Sequence, residues 1–295
     1  MNKRYQDLKV TEGTYVPPER MDYPEDDPYV GLYKPVYDRD YPEVDANYPY
    51  VNDRFSNRFC IFMGTCVILP LLGLILRLTY GLRWQIEGEQ RWHRCTWSSK
   101  RMLRQHDLSN GAITIANHCF RHDCASVLTA LGRACCMDIR VPMFAPNFRT
   151  KDQYFLRSVG GIPIPAAEAG LSAMKAFNAA FDEFNRRKYW FHIFPETKRW
   201  DFYKPLRPFQ KGAFTMAYKY NKPIIPCAVT YRERTSIWRW LGAKDEPLIQ
   251  VIIGTPIYPD TKQPRAAETE RLLNITHQTI CRLAGIKHNT WPSQL

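Results

Sequence analysis

From residue 81 onward the chain alternates short apolar runs with longer stretches whose apolar residues recur every three or four positions. The runs Arg83–Glu87, Ala112–Ala116, Ile139–Phe144, Ile162–Ile164, Trp190–Phe194, Ile224–Tyr231 and Leu248–Ile257 are rich in β-branched and aromatic residues, so they predict strands. Glu168–Lys188 predicts a helix, with Leu171, Met174, Phe177, Phe181 and Phe184 along one face. Its last turn, Arg186-Arg187-Lys188, suits the negative end of a helix dipole. A second helix is expected from about Ala266 to Leu283, with Leu273, Thr276, Ile280 and Leu283 on one side. Strands alternating with helices at this rhythm predict an α/β fold, a mixed and largely parallel sheet flanked by helices. No internal repeat is visible.

Upstream lies a different pattern. Phe59 to Leu76 is an uncharged apolar run, with Arg54 and Arg58 before it and Arg77 and Arg83 after it. A spanning helix needs roughly 20 apolar residues, so the run is borderline. Pro70 sits inside it with Gly64 and Gly73 close by, which favours a membrane-embedded hairpin or kinked helix over a straight span. A buried core helix is the soluble alternative. The first 54 residues hold 9 of the 17 tyrosines and 7 of the 22 prolines, with few aliphatic residues. Such a segment builds no core of its own, and it reads as a disordered or extended tail. Its tyrosines could otherwise pack along the main domain. The tail has no early apolar segment of the kind a signal peptide shows. The expected organisation is therefore a tail over 1–54, a membrane anchor over 55–80 and a catalytic domain over 81–295.

Charge sharpens this division. The tail carries 12 acidic and 7 basic residues, and the remainder carries 34 basic and 17 acidic ones. A surplus of that size calls for an anionic partner: nucleic acid, lipid headgroups or a phosphorylated substrate. No basic tract exceeds three residues and no recognition-helix pattern occurs, which argues against nucleic acid. The mean hydropathy of −0.42 excludes a polytopic membrane protein. Nine cysteines without a Cys-x-x-Cys pair exclude a disulfide scaffold and the common zinc folds. The adjacent Cys135 and Cys136 suit a reducing compartment. Glycine-rich nucleotide loops are absent.

The most informative stretch runs from Ala112 to Asp123. A strand leads into Asn117-His118, and a helix is expected to begin near Cys124. His118 would then stand at the carboxyl end of a strand, where open α/β sheets place ligands. A four-residue loop lets Asp123 fold back onto one imidazole nitrogen, leaving the other as a proton acceptor. No Gly-x-Ser-x-Gly elbow supplies a nucleophile, so the proton would come from a substrate hydroxyl. Three readings compete: a surface histidine near a helix cap, a metal held by His118, His122 and Asp123, and a nucleophilic Cys119 or Cys124. A second cluster follows the strand at Trp190–Phe194, where Glu196, Lys198 and Arg199 are joined by Arg207 and Lys211. Cations beyond a strand end suit a phosphate or oxyanion. Glu196 could hold Arg199 or bond a substrate hydroxyl. A solvated loop is the plain alternative.

Asn117-His118, four residues, then Asp123, followed by Phe194-Pro195-Glu196-x-x-Arg199, resembles the glycerolipid acyltransferase family, typified by 1-acyl-glycerol-3-phosphate acyltransferase. Phe209-Gln210-Lys211-Gly212-Ala213 and the Lys222-to-Val229 strand resemble its later motifs, so the likeness covers roughly residues 81–260. An apolar segment before the catalytic domain is also common in the family. The resemblance implies transfer of a fatty acyl group from acyl-CoA or acyl-carrier protein to a glycerol hydroxyl. His118 would be the general base and Asp123 its orienter. Arg199, with Lys198 and Lys211, would face the acceptor phosphate, while Asn117 and Glu196 would shape the acceptor site. No metal and no cofactor beyond the acyl donor is expected. The protein would sit on the cytosolic face of a membrane, the bacterial inner membrane or the endoplasmic reticulum.

Two departures stand out. Thr197-Lys198 replaces the family's Gly-Thr, and Trp200 its final Ser, in the third motif. The second motif, Gly161 to Glu168, lacks its usual basic residue, so Lys151 or Arg157 would have to supply that contact, or the acceptor differs. The rival from another class is a catalytically idle membrane-binding protein whose basic face recruits anionic lipid, or a partner through the tail. Asn274-Ile275-Thr276 matches a glycosylation sequon, a triplet frequent by chance.

Overall fold

The computed structural model describes residues 9–11, 14–16, 44–94, 105–132, 138–149, 153–166, 169–197, 199, 202, 205–234, 236–241, 246–287 and 289. Two short strands, β1 (Lys9–Thr11) and β2 (Thr14–Val16), pair antiparallel near the start. The main sheet has seven strands: β3 (Arg83–Ile86), β4 (Ile113–Ala116), β5 (Ile139–Phe144), β6 (Gly161–Ile164), β7 (Trp190–Ile193), β8 (Ile224–Arg232) and β9 (Leu248–Ile253). Their spatial order is β3-β9-β8-β4-β7-β5-β6, and every neighbouring pair is parallel except β8 with β9. All seven expected strands are present. The last is shorter than its apolar run. It ends at Ile253, and Ile257 returns only as an isolated bridge to Ile224 after the turn at Gly254-Thr255-Pro256.

Helices cover both faces of the sheet. Alternation along β8 sends Ile225, Cys227, Val229 and Tyr231 to one side and Ile224 and Ala228 to the other. The first side packs against α2 (Leu69–Tyr80) and α3 (Asp123–Leu131). The second packs against α5 (Gly170–Arg186), α6 (Gly212–Tyr220) and α7 (Arg265–Leu283). The short helix α4 (Gln153–Ser158) joins β5 to β6. On α5, Phe177, Phe181 and Phe184 are buried, whereas Leu171 is 81% exposed and Met174 is also at the surface. The apolar stripe thus outruns the core at the helix's first turns.

The upstream apolar run is one continuous helical segment, not a hairpin. It consists of α1 (Phe55–Phe62), a π-helical turn (Met63–Ile68) and α2. Pro70 lies in the first turn of α2 and removes a donor. The π-turn just before it shifts bonding by one residue, so a carbonyl that loses a partner finds the next N–H along. Ile61, Gly64, Thr65, Gly73, Leu76 and Tyr80 face the domain. Both glycines are needed for close approach. A Cβ on Gly64 would collide with the Ser158 backbone, and one on Gly73 would stand 2.7 Å from a Thr129 carbon. The opposite face leaves Phe59, Phe62, Leu71, Leu74, Ile75 and Leu78 exposed. Among the described residues this segment, Phe55–Tyr80, is the one helix long and apolar enough to cross a membrane.

The end of the tail joins the core. Val44, Tyr48 and Tyr50 are buried with Phe177 and Ile162, and Asp53 forms an ion pair with Arg187. Arg157 stands over the Tyr48 ring, 5.3 Å from its centre. Together with Arg140 and Arg187 it lines a cleft at the amino-terminal ends of β5 and β6.

Candidate active site

Because β4, β7 and β8 run parallel side by side, their carboxyl ends converge on one edge of the sheet. Three loops leave that edge, and their first residues make the site. Asn117 continues β4 with its side chain: its Oδ1 accepts the N–H of Val229 at 2.7 Å, and its Nδ2 donates to the Val229 carbonyl at 3.0 Å. This closes the ladder to β8 and forces the chain to turn away at His118.

The turn is then fastened by one carboxylate. Asp123 opens α3 and is almost wholly buried. Its Oδ2 accepts the N–H groups of Cys119 at 3.1 Å and Phe120 at 3.3 Å, while Oδ1 accepts that of Cys124 at 2.7 Å. The same Oδ2 accepts from His118 Nδ1 at 2.7 Å. A carboxylate cannot donate, so Nδ1 carries the hydrogen and Nε2 is the free base nitrogen. The His118 side chain is 23% exposed against 2% for Asp123, so the imidazole reaches the surface while its partner does not. Phe194 stacks on the imidazole with centroids 4.2 Å apart and planes 21° from parallel.

Glu196, just past β7, supplies the second support. Its Oε1 accepts the backbone N–H of His118 at 2.8 Å, and its Oε2 accepts both the N–H and Nε of Arg207 at 3.2 Å. Burial pushes the Glu196 carboxyl above the usual range, with Arg207 and the amides of His118 and Arg207 pulling back. One oxygen of Glu196 thus positions His118, and the other makes an ion pair with Arg207. Behind the site, fully buried His192 bonds Thr114 Oγ1 through Nδ1 at 2.8 Å, and burial pushes it down to about 4.

The structure thus brings Asn117, His118, Asp123 and Glu196 together. Arg199 is half-buried on the His122 side of the loop, where its charge helps to hold the His122 imidazole below its ordinary value, after burial and Arg121. Lys211 is exposed at the cap of α6. Lys198, Trp200, Lys151, Glu168, Cys135 and Cys136 lie outside the described residues. Arg157 belongs to the cleft at the other end of the strands and cannot serve this site.

Two residues of the rival readings, His122 and Cys119, are packed against neighbouring side chains. The His122 ring packs edge-on to Phe120 at 5.3 Å and against Tyr80 at 6.1 Å. Among the described residues no group of three His, Cys, Asp or Glu side chains is placed to hold a metal ion. Cys119 is buried, with Asn117 Nδ2 3.1 Å from its sulfur and its carbonyl held by Phe202 N–H and Tyr231 OH.

Residues beyond the expected set also matter. Arg207 appears in sequence as one more loop cation, and only the fold makes it the partner of Glu196. Arg121 donates to Tyr80 OH at 2.6 Å and to both oxygens of Glu246 at 2.7 Å. Tyr80 OH in turn donates to Glu246 at 2.8 Å, tying the end of the apolar helix to the loop that carries His118. No local pattern marks this link, because Glu246 is over a hundred residues from both Tyr80 and Arg121.

Comparison with known proteins gives three findings. The family described as Acyltransferase matches residues 86–230, which hold Asn117, His118, Asp123, Glu196 and Arg207. No curated protein matches the chain. Among solved structures, the fold is similar to that of the 1-acyl-sn-glycerophosphate (LPA) acyltransferase PlsC from Thermotoga maritima. That match has a TM-score of 0.47 and 14% identity, covering 80% of this chain and 90% of the other.

Proposed function

Because residues 86–230 match the family described as Acyltransferase, we propose that this chain acylates the free hydroxyl of 1-acyl-glycerol-3-phosphate, giving phosphatidic acid. The donor is a fatty acyl thioester, acyl-CoA or acyl-carrier protein. His118 Nε2 takes the hydroxyl proton as the oxygen attacks the thioester carbonyl. The new C–O bond forms, the C–S bond breaks, and the proton passes to the departing thiolate. Asp123 keeps the imidazole in the required tautomer and stabilises the cation that forms. The observation that carries this reading is the 2.7 Å bond from His118 Nδ1 to a buried carboxylate, with part of the ring reaching the surface.

Arg199, Lys198 and Lys211 are assigned to the acceptor's phosphate, and Glu196 and Asn117 to holding the loop that presents His118. The acceptor and donor approach from a bilayer on the cytosolic side, to which the exposed face of α1 and α2 attaches the domain. No metal takes part in the proposed reaction. A second acceptor, another lysophospholipid or glycerol itself, is favoured by one feature: no basic residue occurs from Gly161 to Glu168.

The test is turnover of purified protein with a long-chain acyl-CoA and a panel of acceptors. Phosphatidic acid should form, and His118→Ala should abolish it while leaving the unfolding midpoint in place. Arg199→Ala should raise KM for the phosphorylated acceptor more than it lowers kcat. Undiminished turnover in folded His118→Ala would reject the mechanism, and preference for an acceptor without a phosphate monoester would reject the substrate.

A further inference from the structure

The segment after β8 presents large apolar side chains to solvent: Ile237 is 62% exposed, Trp240 78%, and Leu241 is also exposed. This segment is built, not slack. Arg234 donates to the carbonyls of Trp238 at 3.0 Å and Leu241 at 2.8 Å, and with its other terminal nitrogen to that of Thr79 at 3.0 Å. Thr79 is in the last turn of α2, so the segment is lashed to the end of the apolar helix. Gly81, at φ +55°, allows the contact: a Cβ there would stand 3.3 Å from Trp238 and 2.7 Å from Arg232. The exposed residues Leu71, Leu74, Ile75 and Leu78 belong to the same helix, α2, to whose last turn Arg234 ties this segment.

Cations border this apolar surface. Arg232 donates to the Gly81 carbonyl at 2.9 Å, and Arg83 to Gln250 Oε1 at 3.1 Å from the neighbouring strand pair. Arg83 also lies over the Trp92 ring, 4.1 Å from its centre. Apart from burial, the forces lowering Arg232 to about 10 are all positive charges: Arg83, Arg94 and Arg234. Like charges held so close repel one another unless an anion reaches them.

We propose that this surface docks on a bilayer containing anionic lipid, with Ile237, Trp240 and Leu241 inserted at the headgroup level and Arg83, Arg94 and Arg232 facing lipid phosphates. Tryptophan is enriched at that depth because its ring is apolar and its N–H is not. A protein partner would meet the same apolar residues, but the arginine rim and the adjoining apolar helix fit a charged lipid surface better. The placement also aims the site, since Tyr80 touches Phe120 at 5.1 Å and bonds Arg121 on the His118 loop. The docked segment and the catalytic loop are thus joined to the same end of one helix. The assignment stands apart from the acceptor chosen above, because it concerns binding and not turnover.

The experiment is flotation of the full-length protein with phosphatidylcholine vesicles, with and without phosphatidylglycerol. The double variant Ile237→Ala, Trp240→Ala should lose at least about tenfold in partitioning to both vesicles, as expected for withdrawing two large apolar side chains. Arg94→Gln should lose affinity only for the anionic vesicles, and that difference should vanish at high salt. Leu171→Ala, equally exposed but on α5, is the control and should bind as the parent does. Acyl transfer to a detergent-dispersed acceptor should be unchanged in all of them. Full partitioning of the double variant, or an equal loss in Leu171→Ala, would overturn the proposal. So would a dimer in solution that the double variant breaks while vesicle binding is kept.

Discussion

Glu196 holds His118 by the backbone: its Oε1 accepts the His118 N–H at 2.8 Å, across 78 residues of chain. The imidazole is therefore placed by two buried carboxylates, one on the ring and one on the main chain. The two should be separable. Asp123→Asn keeps most of the turn's hydrogen bonds but allows the wrong tautomer, so kcat should fall by about 10³–10⁴ with KM little changed. Steady-state kinetics on protein with an unaltered circular dichroism spectrum would check this, and a loss below tenfold would remove Asp123 from the mechanism.

Glu196→Ala strips Arg207 of a buried partner and leaves the His118 amide without an acceptor. Loss of one member of a buried ion pair costs about 3–5 kcal/mol, so the variant should unfold at much lower urea concentration. Glu196→Gln keeps an acceptor for His118 and should retain more of both stability and kcat. Equal damage from the two variants would mean that the charge, not the hydrogen bond to His118, is what matters.

Thr197 stands where the related motif has glycine, and its backbone is at φ +63°. A β-branched residue in the left-handed region is strained by about 1–2 kcal/mol. Thr197→Gly should therefore raise stability by about 1 kcal/mol, after the entropic cost of glycine is subtracted. Urea denaturation would measure it, and a destabilised variant would show that the threonine side chain contributes more than its strain costs.

His192 makes stability depend on acid. In the fold its pKa is about 4 because burial disfavours the charged ring, whereas the unfolded chain takes up the proton near 6.5. Between these values the unfolded state binds more protons, so stability falls as pH drops through that window. The total effect is about 3 kcal/mol. His192→Asn can keep an acceptor near Thr114 without titrating, so denaturation midpoints between pH 6.5 and 4 should vary less in that variant.

Tyr80, Arg121 and Glu246 couple the apolar helix to the catalytic loop. Tyr80→Phe removes one bond to each partner and should cost about 1–3 kcal/mol of stability. Combined with Glu246→Gln, the losses should be less than additive, because both variants open the same network. Additive losses in a double-mutant cycle would show that the groups act independently.

Much of this molecule is legible locally. Period-two runs and period-three-and-four stretches mark the strands and helices because side-chain direction repeats with backbone geometry. Asn117, His118 and Asp123 are close in sequence, so one short loop can join them. Other features are set by neighbours that no local window contains. Glu196 reads as a substrate contact until β7 is laid beside β4, which turns its carboxylate toward the His118 amide. Arg157 reads as a phosphate ligand until α4 is placed at the amino-terminal ends of the strands, where it meets Tyr48. Leu171 and Met174 share the spacing of a buried stripe, yet the core ends before reaching them.

The helix at Phe55–Tyr80 shows the division most clearly. Its apolar character, its charged flanks and the presence of Pro70 are properties of the chain itself. That it continues through Pro70, and that it lies along the domain with Gly64 at Ser158 and Gly73 at Thr129, depends on a π-turn and on surfaces contributed by α3 and α4. Hydrophobicity specifies that a face must be covered but not by what, since the force is non-directional. Hydrogen bonds and close steric fit are directional, and they take effect only once distant segments have been brought together.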